Sequence, residues 1–235
     1  MTTPNFPETK ETSFEDPFYH SNPQWRLRFW AIFSGQSLSL VGSALTQFIL
    51  LWWITDTTGS IATLAIAGTA ALLPQALINP LGGTFADRYS RRILMIVADT
   101  ISGLCMLVLI ALFLTERIEL WHVFTMMFIR STMHAFQMPA ASASVAMLVP
   151  SSFLSRAAGL NQTMQGMTLV SAAPLGALAM SVMPLGWALS IDVFTALLGC
   201  LPLLIYRIPQ ILTHSRAGLS GIWGEFKEGV NATLD

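Results

Sequence analysis

Apolar residues run through this chain in six long stretches separated by short polar breaks. Residues 29–54 and 61–86 contain no charged side chain, and 93–114 contain only Asp99. Residues 120–138 contain Arg130, with His122 and His134; 157–183 are uncharged, and 185–206 hold only Asp192. Each stretch is near or above the ~20 residues a helix needs to cross a bilayer. Backbone groups in hydrocarbon must be satisfied within their own segment, so the pattern predicts an all-α, polytopic membrane protein with six transmembrane helices.

The breaks set the orientation. Gly82 to Arg92 is a charged island between two apolar runs, with Arg88, Arg91 and Arg92 inside it. Arginine-rich loops stay on the cytoplasmic side. With that anchor, Lys10, Arg26, Arg28, Arg156, Arg207, Arg216 and Lys227 also fall inside, and Arg117 is the basic residue of the outer loops. Both termini are then cytoplasmic, and the expected location is the plasma membrane. Outer turns are expected at Thr55 to Ser60, at Thr115 to Glu119 and at Pro184. A longer inner connection is expected from Pro139 to Arg156, with a helix start at Pro150-Ser151-Ser152.

The predicted organisation has three parts. Residues 1–24, with Pro4, Pro7, Pro17 and Pro23 among acidic residues, read as a disordered tail. They offer no apolar signal-peptide core, so the first apolar stretch is expected to serve as the insertion signal. Residues 25–208 form the membrane domain. Residues 209–235 read as a cytoplasmic linker with an interfacial amphipathic piece.

Composition agrees with the membrane class. The 235 residues are 53% hydrophobic and 11% charged, with net charge −1; a soluble domain is about one quarter charged. The near-neutral balance excludes a nucleic-acid partner. Cys105 and Cys200 each lie in an apolar run and read as small buried hydrophobes rather than a disulfide or metal site. Neither a metal nor a cofactor is expected. No His-Glu-x-x-His or Gly-x-Ser-x-Gly occurs, so enzyme chemistry is not expected either.

Polar residues within the apolar stretches mark the candidate site. Gln36, Ser39, Ser43, Thr46 and Gln47 share one face of the first stretch; Arg130, His134 and Gln137 share one face of the fourth; Asn161, Gln165 and Thr168 lie on the fifth. Such faces turn toward a bundle interior or a wet cavity. For the serines and threonines, interhelical hydrogen bonding suffices. For Arg130 with Gln36 and Gln47 a cavity is the better reading, because a central charge costs about 3 kcal/mol or more to insert. Asp99 and Arg130 are both placed about two turns from the cytoplasmic ends of their helices and are expected to pair, with Asp192 as the other candidate partner. His134 follows Arg130 by one turn; a proton-carrying role is open to it, but a neutral, hydrogen-bonded ring is preferred beside a cation. Pro174 and Gly176 are candidates for helix packing or a hinge.

The island Gly83-x-x-x-Asp87-Arg88-x-x-Arg91-Arg92 resembles the signature loop of the major facilitator superfamily, with Ser90 where that family usually has Gly. Phe128-Ile129-Arg130-Ser131, Leu148-Val149-Pro150 and Gly159-Leu160-Asn161-Gln162 are similar to its macrolide-efflux and siderophore-exporter branch. The resemblance implies half of a fold built from a 3+3 inverted repeat, with the transport path between two six-helix halves. It implies that Gly83, Asp87, Arg88, Arg91 and Arg92 belong to a conformational latch. It also implies that the arginine matching Arg130 sits near a substrate and proton path, which Gln36, Ser43, Gln47, Asp99, His134, Gln137, Asn161 and Gln165, as polar residues inside the spans, are expected to line with it. The fifth-span antiport motif of the family usually reads Gly-Pro; here Ala173-Pro174-Leu175-Gly176 departs from it.

The function implied is that of the N-terminal half of a secondary active transporter. It would export drugs or other small amphipathic molecules by alternating access. Its partners would be the bilayer, a small-molecule substrate, protons, and a C-terminal six-helix half in cis or in trans. The competing expectation is a six-helix structural or assembly subunit, or an inactive truncated fragment, that transports nothing.

Overall fold

The computed structural model describes residues 25–206, so the readings for 1–24 and 209–235 lie outside the described residues. The chain forms α1 (Trp25–Thr58), α2 (Ile61–Arg88), α3 (Arg91–Leu114), α4 (Leu120–Leu148), α5 (Ser151–Val182), the short α6 (Leu185–Ala188) and α7 (Ser190–Ile205). The last two run on as one span, Leu185–Ile205. That span, α1, α2, α3 and α5 are long and apolar enough to cross a membrane. The 29-residue α4 is also long enough, but Arg130, His122, His134 and Gln137 dilute its hydropathy. No strand occurs among the described residues.

The connections are tight. Gly59, at φ +58°, turns the chain between α1 and α2, and the Ser60 hydroxyl caps α2 by accepting from the Thr63 amide at 3.3 Å. Glu119 caps α4 in a reciprocal box with His122. Turns therefore stand within Thr55 to Ser60 and within Thr115 to Glu119, and Met183-Pro184 separates α5 from α6. The long connection expected from Pro139 to Arg156 is not. Helix α4 continues through Pro139 to Leu148, and Val149-Pro150 alone separates it from α5. Proline lacks an amide but need not end a helix whose neighbours cover the freed carbonyl. The helix start near Ser151 is where the sequence predicted it.

Helix α1 is the centre of the bundle. It packs on α7 and α5, with further contacts to α2 and α4, while α2 lies mainly along α4 and α3 against α4 and α7. Small residues set the distances. A Cβ built on Gly199 would lie 3.0 Å from the Gly35 carbonyl oxygen, so α7 and α1 approach as closely as backbones allow. A Cβ on Gly82 would overlap the Ala135 carbonyl, which brings α2 onto α4. At Pro74 the chain uses a side chain from the next helix: the Gln75 amide donates to Ser131 Oγ at 3.1 Å. Serine re-satisfies the backbone where the proline disturbs the ladder.

The bundle is layered along its axis. At the end that carries Arg91, an apolar cluster joins Phe29, Ile32, Met95, Leu148 and Leu203. At the opposite end another joins Ile49, Ile54, Met106, Leu109, Val123 and Leu189. Between them lie the buried Asp99, Asp192 and Ser39. Outward positions are apolar: Ile61 is 86% exposed and Leu169 80%. Polar groups inside and apolar groups outside is the arrangement that lipid selects.

Candidate functional site

The middle layer holds two carboxylates in different surroundings. Asp192 is the partner of Arg130: Nη2 lies 2.6 Å from Asp192 Oδ2. Ser43 Oγ donates to the other carboxylate oxygen at 2.9 Å, and Arg130 Nη1 donates to Met106 Sδ at 2.9 Å. The expected Asp99–Arg130 pair is therefore corrected. Helix length explains the difference. Because α4 runs to Leu148, Arg130 lies about 27 Å from that end of the helix rather than the ~12 Å that an end at residue 138 would give, and about 15 Å from Leu120. Asp192 lies about 10 Å from Leu185, at the same end of the bundle, whereas Asp99 lies about 22 Å from Leu114.

Asp99 is held by neutral donors. Gln137 Nε2 donates to Oδ1 at 2.5 Å, Gln36 Nε2 to Oδ2 at 3.4 Å, and the Cys200 thiol to Oδ2 at 3.5 Å. Gln36 Nε2 also reaches the Gly199 carbonyl at 3.2 Å, and Gln137 Nε2 reaches Gln36 Oε1 at 3.4 Å. Among the described residues no lysine or arginine forms an ion pair with Asp99.

Gln36 and Gln137 have a second neighbour. Both line a cleft of about 70 Å³ bounded by α1, α3, α4 and α5. Its polar lining comes from Gln36, Ser37, Ser39, Ser43, His134, Gln137, Asn161 and Gln165, its apolar lining from residues such as Phe33, Met95, Met138 and Met164. No charged side chain lines it; Asp99 stands directly behind the two amides. The cleft thus combines adaptable apolar surface with fixed polar points, as ligand sites do. Among the described residues no three His, Cys, Asp or Glu side chains group to hold a metal.

Of the nine residues expected on the path, the structure brings eight into this layer or the cleft wall. Gln47 is half-buried and does not line the cleft. The hydrogen-bonded ring expected for His134 is not found: its Nδ1 is enclosed and has no partner among the described residues. Sequence reading missed the Cys200 thiol and the Gly199 carbonyl. For Gly199 a signal was available, since it follows Asp192 by two helical turns and so shares its face; for Cys200, one position on, none was. The methionines carried no distinguishing signal, because each is equally at home in a core.

The arginine island lies at the far end. Arg91 donates from Nε to the Ala86 carbonyl at 3.2 Å and from Nη1 to the Ala143 carbonyl at 3.0 Å. Its bond to the exposed Asp87 is longer, 3.4 Å. Arg92 donates to the carbonyls of Leu203 and, at 2.7 Å, Leu204, so it caps the end of α7. Arg88 is half-buried beside them. Gly83 differs from Gly82: nothing stands within 4 Å of a Cβ built there. On α5, Gly176 is buried against the Phe48 ring while Pro174 is exposed.

The sequence profile of the Major Facilitator Superfamily matches residues 32–230. The chain belongs to that superfamily. Within it the similarity is to the macrolide-efflux branch. Over 187 residues, 80% of this chain and 46% of the relative, it is 34% identical to Macrolide efflux protein A of Streptococcus pyogenes. A protein of the same name from Enterococcus faecalis is 34% identical over 139 residues, 59% of this chain and 43% of that protein. The uncharacterized MFS-type transporter YkuC of Bacillus subtilis is 28% identical over 204 residues, 86% and 46% of the two chains. The chain therefore spans about half the length of the curated relatives it matches. Its six spans are consistent with half of the superfamily fold.

Proposed function

We propose that this six-span unit forms one wall of the path of a secondary active transporter that exports macrolides or similar amphipathic drugs. The observation that carries the reading is the middle layer. A cleft with neutral polar lining opens beside a buried carboxylate, Asp99, that no basic side chain neutralises. A fold retains such a group for a functional reason, since an uncompensated charge in a membrane is costly.

Asp99 is the group suited to bind and release a proton. Arg130 and Asp192 neutralise each other and serve as a fixed strut. Gln36 and Gln137 link the two processes, because each touches Asp99 and the cleft at once. Transport would alternate the exposure of this layer between the two membrane faces. A second six-helix unit, in cis or in trans, would supply the facing wall. The island Gly83, Asp87, Arg88, Arg91 and Arg92 would latch the two units at the cytoplasmic side, and the open position of Gly83 supports a close neighbour there. The excess of Lys and Arg on one side of the bundle favours cytoplasmic termini and the plasma membrane.

Erythromycin accumulation in cells tests the reading. The chain is expressed alone and with a six-helix C-terminal half. Lowered accumulation that collapses when the proton gradient is discharged supports export. Unchanged accumulation in both arms favours a structural subunit instead.

A further inference from the structure

The wall of the cleft nearest Asp99 holds two unused acceptors. The three donors that converge on Asp99 fix how the two amides point: Gln36 and Gln137 turn their NH2 groups inward, toward the carboxylate, the Gly199 carbonyl and one another. Gln36 Oε1 is taken by Gln137. Gln137 Oε1 has no partner among the described residues. One turn away on the same face of α4, His134 lines the same cleft and makes no hydrogen bond among the described residues. In the neutral imidazole one nitrogen is an acceptor. Nδ1 is enclosed, so Nε2 is the nitrogen open to a ligand.

An enclosed polar atom without a partner is rare and calls for an explanation. Thr46 and Thr168 also have unpartnered hydroxyls, but neither lines the cleft. Of the three residues only His134 lines the cleft, and its Nε2 is the nitrogen that a ligand there can reach. Arg130, one turn to its other side, is committed to Asp192 and Met106 and offers it nothing.

We infer that His134 is a ligand-contacting residue, and that with Gln137 Oε1 it selects a hydroxyl-bearing amphiphile. The ligand donates a hydroxyl hydrogen to the imidazole, and its apolar face lies on Phe33, Met95, Met138 and Met164. The inference rests on the reading of the cleft as the substrate path. It adds the hydrogen-bonding class of the substrate and the residue that reads it.

Binding of radiolabelled erythromycin, a macrolide with several hydroxyls, to the chain paired with a six-helix C-terminal half in lipid nanodiscs tests this. His134→Leu removes the acceptor and should weaken binding about tenfold, the usual effect of orphaning one hydrogen-bond donor. His134→Gln keeps an acceptor and should stay within about threefold of the wild type. An erythromycin derivative with its hydroxyls acetylated should bind the wild type and His134→Leu alike. Circular dichroism confirms that each variant is helical. If His134→Leu binds erythromycin as the wild type does, the His134 assignment is overturned and the transport reading stands. If the wild type shows no saturable binding, both fall.

Discussion

Arg130 Nη2 lies 2.6 Å from Asp192 Oδ2, and this one bond divides the polar layer into two halves with different duties. It takes up the guanidinium of the intramembrane arginine. Asp99 is then left to two amides and a thiol. The layer carries a carboxylate in excess, next to a cleft.

Asp99→Asn should separate transport from folding. The amide occupies the same space and can bond to both Gln36 and Gln137 once one of them turns its oxygen toward the new NH2, so the protein should reach the membrane at wild-type level. It cannot exchange a proton. Proton-gradient-driven erythromycin export should fall to background, while exchange of labelled for unlabelled drug continues. Export that still follows the gradient in Asp99→Asn would place the coupling elsewhere.

The two neighbouring glycines should respond in opposite ways. Gly82→Val drives a branched side chain into the Ala135 carbonyl and should destabilise the bundle by about 1–3 kcal/mol or more. Gly83→Val enters open space and should leave the melting temperature of the isolated chain unchanged. Transport by the paired halves should nevertheless fall, because Gly83 is the position open to a neighbouring helix. Equal melting temperatures for the two variants would contradict this packing.

Ser131→Ala removes the hydroxyl that receives the Gln75 amide beside Pro74. The cost in a membrane is on the order of 1 kcal/mol, as for other interhelical hydrogen bonds. A steric-trap or mild-denaturant measurement should resolve it, and Ser131→Thr should restore part of it.

Orientation is open to a direct chemical test. In an otherwise cysteine-free chain, Arg88→Cys should react with an impermeant maleimide only after the cells are opened. Glu116→Cys, in the turn between α3 and α4, should react in intact cells. The reverse pattern would invert the assigned topology.

Much of this was legible in the sequence. The number of spans and the positions of most turns follow from where charge is missing. The residues of the polar layer follow from their helical spacing. The length of α4 was not legible, because Pro139 reads as a terminator when the carbonyls covered by neighbouring helices are unknown. That misplaced end carried the wrong ion pair with it: with α4 ending at residue 138, Arg130 would stand level with Asp99. Cys200 was likewise legible as apolar, but its role depends on Asp99 arriving from a helix distant in sequence. The arginine island could be recognised as a motif. Its contacts to the Ala143 and Leu203 carbonyls depend on how α4 and α7 end.

A charge-neutralisation cycle tests the central claim most directly. Arg130→Gln leaves Asp192 buried and unpaired, and should lower stability in detergent by about 3–5 kcal/mol. Adding Asp192→Asn should restore most of that loss, and adding Asp99→Asn should restore little. Rescue by Asp99→Asn and not by Asp192→Asn would show that Arg130 belongs to Asp99. The free carboxylate beside the cleft, and the transport scheme built on it, would then be wrong.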